Sequence, residues 1–117
     1  MKNQNTPKIA VIGFGEAGSS LCKGWGLSDL RAFDIKQHGD TLLAAEKVAQ
    51  MSAIGVIIGD DAADIANGAD IVFSTVTADQ AYVAANAVAK VIKPGVYYLD
   101  LNSCAPSTKQ KLSLIHI

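Results

Sequence analysis

The sequence predicts an open, doubly wound parallel α/β sheet. Three observations carry that prediction. Short apolar runs alternate with longer Ala-rich stretches along the chain. The first run, KIAVIG, is continuously apolar, as in a strand buried on both faces. It leads directly into the glycine-rich stretch GFGEAG, and the strand-to-helix spacing repeats from there to residue 111. Strands that alternate with helices at this spacing form βαβ units, which place helices on both sides of a parallel sheet. The predicted strand order is 3-2-1-4-5.

Each element has a local reason. Residues 8–13 form the first strand. EAGSSLCKGWG follows as a helix, with Ala17, Leu21 and Trp25 recurring every four residues on one face and Gly24 or Gly26 to end it. LRAFD, residues 30–34, is a second strand that ends on an acid. Residues 39–51 read as a helix, 55–60 as a short third strand, and DAADIANGA as a short helix. DIVFSTV, residues 70–76, is β-branched and apolar, a fourth buried strand. Residues 78–92 are the clearest helix, closed by Lys93-Pro94-Gly95. Residues 96–102 form a fifth strand, and SCAPSTKQKL opens a helix with Pro106 in its first turn.

Composition narrows the function. The chain has 117 residues, half of them apolar and 18% charged, with a net charge of −1. That is one domain, with no electrostatic case for nucleic acid or a membrane surface. No run of 18 apolar residues marks a membrane span. The N-terminus lacks an apolar signal core, so a cytoplasmic location is expected. Cys22 and Cys104 have no metal-ligand spacing, and neither a disulfide nor a metal site is expected.

Gly13, Gly15 and Gly18 stand in G-x-G-x-x-G spacing, after a strand and before a helix, and Asp34 ends the next strand 21 residues after Gly13. Gly13 permits the tight turn, Gly15 lets backbone approach a pyrophosphate, and Gly18 permits close helix packing. The helix start offers free N–H groups and a partial positive charge to phosphates. Glu16 is expected to point to solvent, where a carboxylate suits the helix dipole. Asp34 is placed on the adenosine ribose hydroxyls, and a carboxylate there favours NAD over NADP. Lys36, two residues on, works the other way. Ligands in such sheets bind beyond the carboxyl ends of the strands, so Val76 and Thr77 after the fourth strand and Asn102 and Ser103 after the fifth border the nicotinamide half. Asn102 and Ser103 are candidates for substrate contact; turn and helix-cap chemistry explains them equally. Cys104 lacks a histidine partner, and Cys22 reads as helix packing. Trp25, Tyr82, Tyr97 and Tyr98 read as packing residues.

IAVIGFGEAGSSL, the FD at the second strand end, DIVFSTV and KPGVYYLDLNSCAPSTKQKL together resemble the β-hydroxyacid dehydrogenases, the group that includes 3-hydroxyisobutyrate and 6-phosphogluconate dehydrogenases. The resemblance runs over residues 8–111, and its KPG…DLNS…P segment is more specific than the glycine motif. It implies a Rossmann-type domain in which Gly13 to Gly18, with Phe14, Gly15, Glu16 and Ala17 between them, bind the pyrophosphate of NAD or NADP, Asp34 the ribose, Val76 and Thr77 line the cofactor, and Ser103 meets the nicotinamide end. Where the family often carries Leu-Pro after the fourth strand, this chain has Val76-Thr77. The resemblance further implies hydride transfer to or from a small hydroxyacid, a homo-oligomer, and a lysine general acid/base on a later helical domain. Lys109 and Lys111 do not match that lysine, so no catalytic residue is assigned.

The expected organisation is therefore a disordered leader at 1–7, an incomplete NAD(P)-binding domain at 8–111 cut after the fifth strand, and a tail at 112–117. That tail, LSLIHI, is the translation of CTG TCT CTT ATA CAC ATC, the end of a transposon adapter used for sequencing libraries, and is expected to be non-native. Two other readings stand beside the first: a stand-alone nucleotide-sensing module, and the cofactor domain of an imine or pyrroline-carboxylate reductase.

Overall fold

The computed structural model describes residues 7–25, 29–39 and 41–101. Asn102, Ser103, Cys104, Lys109, Lys111, the 112–117 tail and the leader residues before Pro7 lie outside the described residues. Five parallel strands form one sheet in the order β3-β2-β1-β4-β5, as predicted. They are β1 (Ile9–Ile12), β2 (Leu30–Phe33), β3 (Ile57–Ile58), β4 (Ile71–Ser74) and β5 (Tyr97–Asp100). The helices are α1 (Glu16–Trp25), α2 (Leu42–Ile54), α3 (Ala62–Ala66) and α4 (Ala78–Ala89), and a 3₁₀ turn at Ile35–Gln37 follows β2.

β1 is central, and all four of its residues are buried. Its alternate side chains feed two cores. Ala10 and Ile12 pack with Val72, Ile65, Ala66, Ala84 and Val88 under α3 and α4. Ile9 and Val11 pack with Phe14, Cys22, Leu30, Ala32 and Met51 under α1 and α2. Full burial of a Val or Ile contributes about 1.5–3 kcal/mol each, so this four-residue strand anchors both layers.

Helix boundaries follow their caps. Thr41 Oγ1 accepts from Ala44 N at 3.2 Å to start α2, and Gly55 ends it at φ +92°, its N–H reaching Met51 O and Ser52 O. Asp61 Oδ1 accepts from Asp64 N at 2.7 Å to start α3. The fourth helix ends at Ala89, before the predicted residue 92, and its last turn tightens: Val91 N bonds Val88 O three residues back.

Two expectations are corrected. The inward face of α1 is Gly18 and Cys22; Leu21 and Trp25 are half-buried and Ala17 is exposed. The apolar stripe is displaced by one position because Gly18 must lie against the glycine turn. The fourth strand stops at Ser74, which pairs with Asp100, so Thr75 and Val76 belong to the loop.

Candidate functional site

The chain leaves β1 towards one side of the sheet and β4 towards the other, which opens a crevice at the carboxyl ends of these neighbouring strands. A cleft of about 310 Å³ lies there, bounded by the glycine turn, the end of β2 and the start of α4.

The glycine turn is held from three sides. Gly13 N donates to Phe33 O at 2.7 Å, and Thr75 N donates to Ile12 O at 2.8 Å, which extends both ladders past the strand ends. The Thr75 hydroxyl donates to Gly13 O at 2.8 Å. Asp34 Oδ2 accepts from Phe14 N at 2.7 Å, and Lys47 Nζ donates to Phe14 O at 2.7 Å.

Each glycine answers to a different demand. Gly13 sits at φ +94°, and a Cβ there would meet the Thr75 backbone at 2.9 Å. A Cβ on Gly18 would run into Gly13 O and stand 2.9 Å from Thr75 Oγ1. Both are required by the fold. A Cβ on Gly15 would meet nothing within 4 Å, and its φ is not positive. The fold places no demand on Gly15, which lines the cleft at the start of α1.

Asp34 is 8% exposed. Its Oδ1 accepts from Lys36 N at 2.8 Å, and its N–H donates to Gln37 Oε1 at 3.0 Å, so one residue caps the 3₁₀ turn and anchors the glycine turn. Gln37 Nε2 donates to Gly59 O at 2.7 Å. His38 Nε2 lies 2.9 Å from Asp60 O; a carbonyl only accepts, so this nitrogen carries the proton. These bonds fasten the β2 end to the β3–α3 loop and fix the wall that carries Ile35, Lys36 and Asp61.

Across the cleft, Val76 and Thr77 line the wall at the start of α4. Thr77 holds the N-cap position but makes no side-chain cap bond. Its hydroxyl bonds Asp79 instead, which holds that acid below the usual carboxylate range.

Of the residues expected from the sequence, Gly13, Gly15, Asp34, Val76 and Thr77 line the cleft; Phe14, Glu16, Ala17 and Gly18 do not. Phe14 is fully buried, and both its backbone groups are engaged. Glu16 and Ala17 are exposed on the first turn of α1, whose leading N–H groups have no partner within the helix. Thr75 and Lys47 were not anticipated. Thr75 carried a signal, a hydroxyl at the end of a β-branched run; Lys47 carried none, because its partner is a carbonyl. Among the described residues no group of acids, cysteines and histidines holds metal geometry, and no helix is long and apolar enough to cross a membrane.

Comparison with known proteins places this geometry. The fold matches a conserved hypothetical protein from Sinorhizobium meliloti 1021 with a TM-score of 0.79 and 32% identity, over 93% of this chain and 37% of that one. It matches the Mycobacterium tuberculosis 3-hydroxyisobutyrate dehydrogenase, solved with L-serine, at 0.76 and 20% identity, over 92% and 35%. It matches an imine reductase from Myxococcus stipitatus, solved with NADP+, at 0.71 and 20% identity, over 92% and 36%. The chain thus spans little more than a third of the length of each. No curated protein matches it in sequence. A family model described as NADP oxidoreductase coenzyme F420-dependent matches residues 8–102, the whole stretch from the start of the sheet to its fifth strand. On that match the chain belongs to this family, as an NAD(P)-binding oxidoreductase domain.

Proposed function

We propose that the cleft binds the dinucleotide with its pyrophosphate on the glycine turn, and that the parent protein moves hydride between nicotinamide and a small β-hydroxyacid. The observation that carries the binding reading is Gly15. It is a glycine without a left-handed backbone or a steric neighbour, at the mouth of the cleft, so what it accommodates is a ligand. The N–H groups of Glu16, Ala17 and Gly18 face phosphate from the first turn of α1, and Gly13 shapes the turn that presents them. Phe14 serves by holding that turn from within the core.

Asp34 retains acceptor capacity for the adenosine ribose: a carboxylate offers about four lone-pair sites, and Phe14 N and Lys36 N occupy one on each oxygen. The exposed side chain of Ile35 gives an apolar surface for the adenine face. Val76 and Thr77 border the nicotinamide half, and Asn102 and Ser103 are proposed for its carboxamide and for the substrate. When bound, the cofactor supplies hydride exchange at its nicotinamide ring; these residues orient it and exclude water. The likeness of fold to 3-hydroxyisobutyrate dehydrogenase and the DLNS segment support the hydroxyacid. A second reading, imine reduction, draws support from the imine reductase that shares this fold. We further propose that 8–111 forms the cofactor domain, 1–7 a leader and 112–117 a non-native tail, with the protein cytoplasmic and the intact enzyme a homo-oligomer.

Titration with NADH and NADPH, followed by cofactor fluorescence, tests the binding reading. Saturable binding of at least one nucleotide at sub-millimolar concentration is expected. Binding of neither would overturn it.

A further inference from the structure

Lys47 stands in the middle of α2, and its ammonium points back beneath the end of β2. It donates to Phe14 O at 2.7 Å and to Gln50 Oε1 at 3.3 Å, and it stands 4.0 Å from Asp34 Oδ2. The two charged side chains are 15% and 11% exposed, so solvent screens the pair only in part. Asp34 in turn holds Phe14 N, which closes a ring of three residues around one turn. Lys47 does not line the cleft, whereas Asp34 does. The cation therefore lies behind the carboxylate as seen from the ligand.

That placement bears on cofactor choice. An unopposed carboxylate at a β2 end repels the 2′-phosphate of NADP by like charge. A cation about 4 Å behind it cancels much of that field at the cleft, while leaving the lone pairs that a ribose hydroxyl needs. The 2′-hydroxyl of NAD, being neutral, is nearly indifferent to the pair's net charge; a phosphate is not. Lys36, exposed on the rim of the cleft, adds positive potential on the same side. We propose that Lys47 is a positioning residue for cofactor choice: by offsetting Asp34 it admits the 2′-phosphate of NADP to a pocket that also takes NAD. This rests on the reading of the cleft as the dinucleotide site.

The test compares dissociation constants for NADH and NADPH at fixed ionic strength in the full chain and in Lys47→Met, Lys47→Arg and the double variant Asp34→Asn/Lys47→Met. Urea melts of the same proteins report folding. In the unaltered chain the two constants should lie within about ten-fold of each other. Lys47→Met should weaken NADPH about ten-fold or more and NADH less than about three-fold. Lys47→Arg should keep the original ratio, and the double variant should restore it, because the uncompensated charge is gone. A ratio unchanged in Lys47→Met, or equal weakening of both nucleotides, would overturn the inference and leave the dinucleotide reading intact. Binding of neither nucleotide by the unaltered chain would remove both together.

Discussion

The Phe14 N–H and Asp34 Oδ2 lie 2.7 Å apart and join the glycine turn to the end of β2 across twenty residues of chain. The acid thus has a structural duty independent of any ligand. It satisfies a buried donor, and that donor belongs to the glycine turn proposed to take the pyrophosphate. On the proposed reading of the cleft, cofactor recognition and turn rigidity fall to one side chain.

Removing that side chain should therefore register in stability as well as in binding. Asp34→Ala leaves Phe14 N–H without its acceptor and should cost about 1–3 kcal/mol in urea unfolding, the usual penalty for a stranded buried donor. Unchanged stability with weakened nucleotide binding would mean that the turn holds its shape without this bond.

The glycines should separate cleanly. Gly18→Ala forces a Cβ onto Gly13 O and should cost about 1–3 kcal/mol or more, as overpacking does. Gly15→Ala has open space and should change stability by less than about 1 kcal/mol, the small cost of Ala at a helix start. Its nucleotide affinity should fall about ten-fold or more, equivalent to about 1.4 kcal/mol. Melting and titration of both variants check this; the reverse pattern would assign Gly15 to folding and undercut the ligand reading.

Thr75 offers a third test, because its hydroxyl holds the carbonyl of Gly13 while its backbone extends the ladder to Ile12. Thr75→Val keeps the shape and loses the bond, and should cost about 0.5–1.5 kcal/mol. Thr75→Ser keeps the donor and should bring most of that back. A Val variant as stable as the parent would show that the ladder alone fixes the turn.

The sequence made the scaffold legible because its signals are local. A continuous apolar run marked β1, whose residues are buried on both faces, and the spacing from Gly13 to Asp34 put the acid at the mouth of the cleft. What stayed hidden depends on contacts far apart in sequence. Val76 continues the β-branched run of β4, so the strand seemed to reach it; only pairing with β5 ends the strand at Ser74 and brings Thr75 to the turn. Leu21 and Trp25 look like the inward stripe of α1, yet Gly18 takes that face because it must meet the turn. Lys47 bonds a backbone carbonyl 33 residues away, which no side-chain pattern encodes.

Cys22 gives the last prediction. It lies 2% exposed between α1 and the sheet, and burial pushes its thiol up to about 11 from an ordinary 9.0. Only the thiolate is a competent nucleophile, so at pH 8 the Cys22 peptide should resist alkylation in the folded chain and react on addition of urea. The sign of the linkage follows from the raised value. The neutral thiol is the form the folded state favours, so its contribution is fully present below pH 9.0 and is lost as pH climbs through about 11. Urea midpoints measured from pH 8 to 11 should hold to about 9 and then decline, and Cys22→Ala should flatten part of that decline. Rapid alkylation of Cys22 at pH 8 without denaturant would show that the core between α1 and β1 opens readily. The glycine turn packed on that core would then owe its rigidity to the Asp34, Thr75 and Lys47 bonds alone.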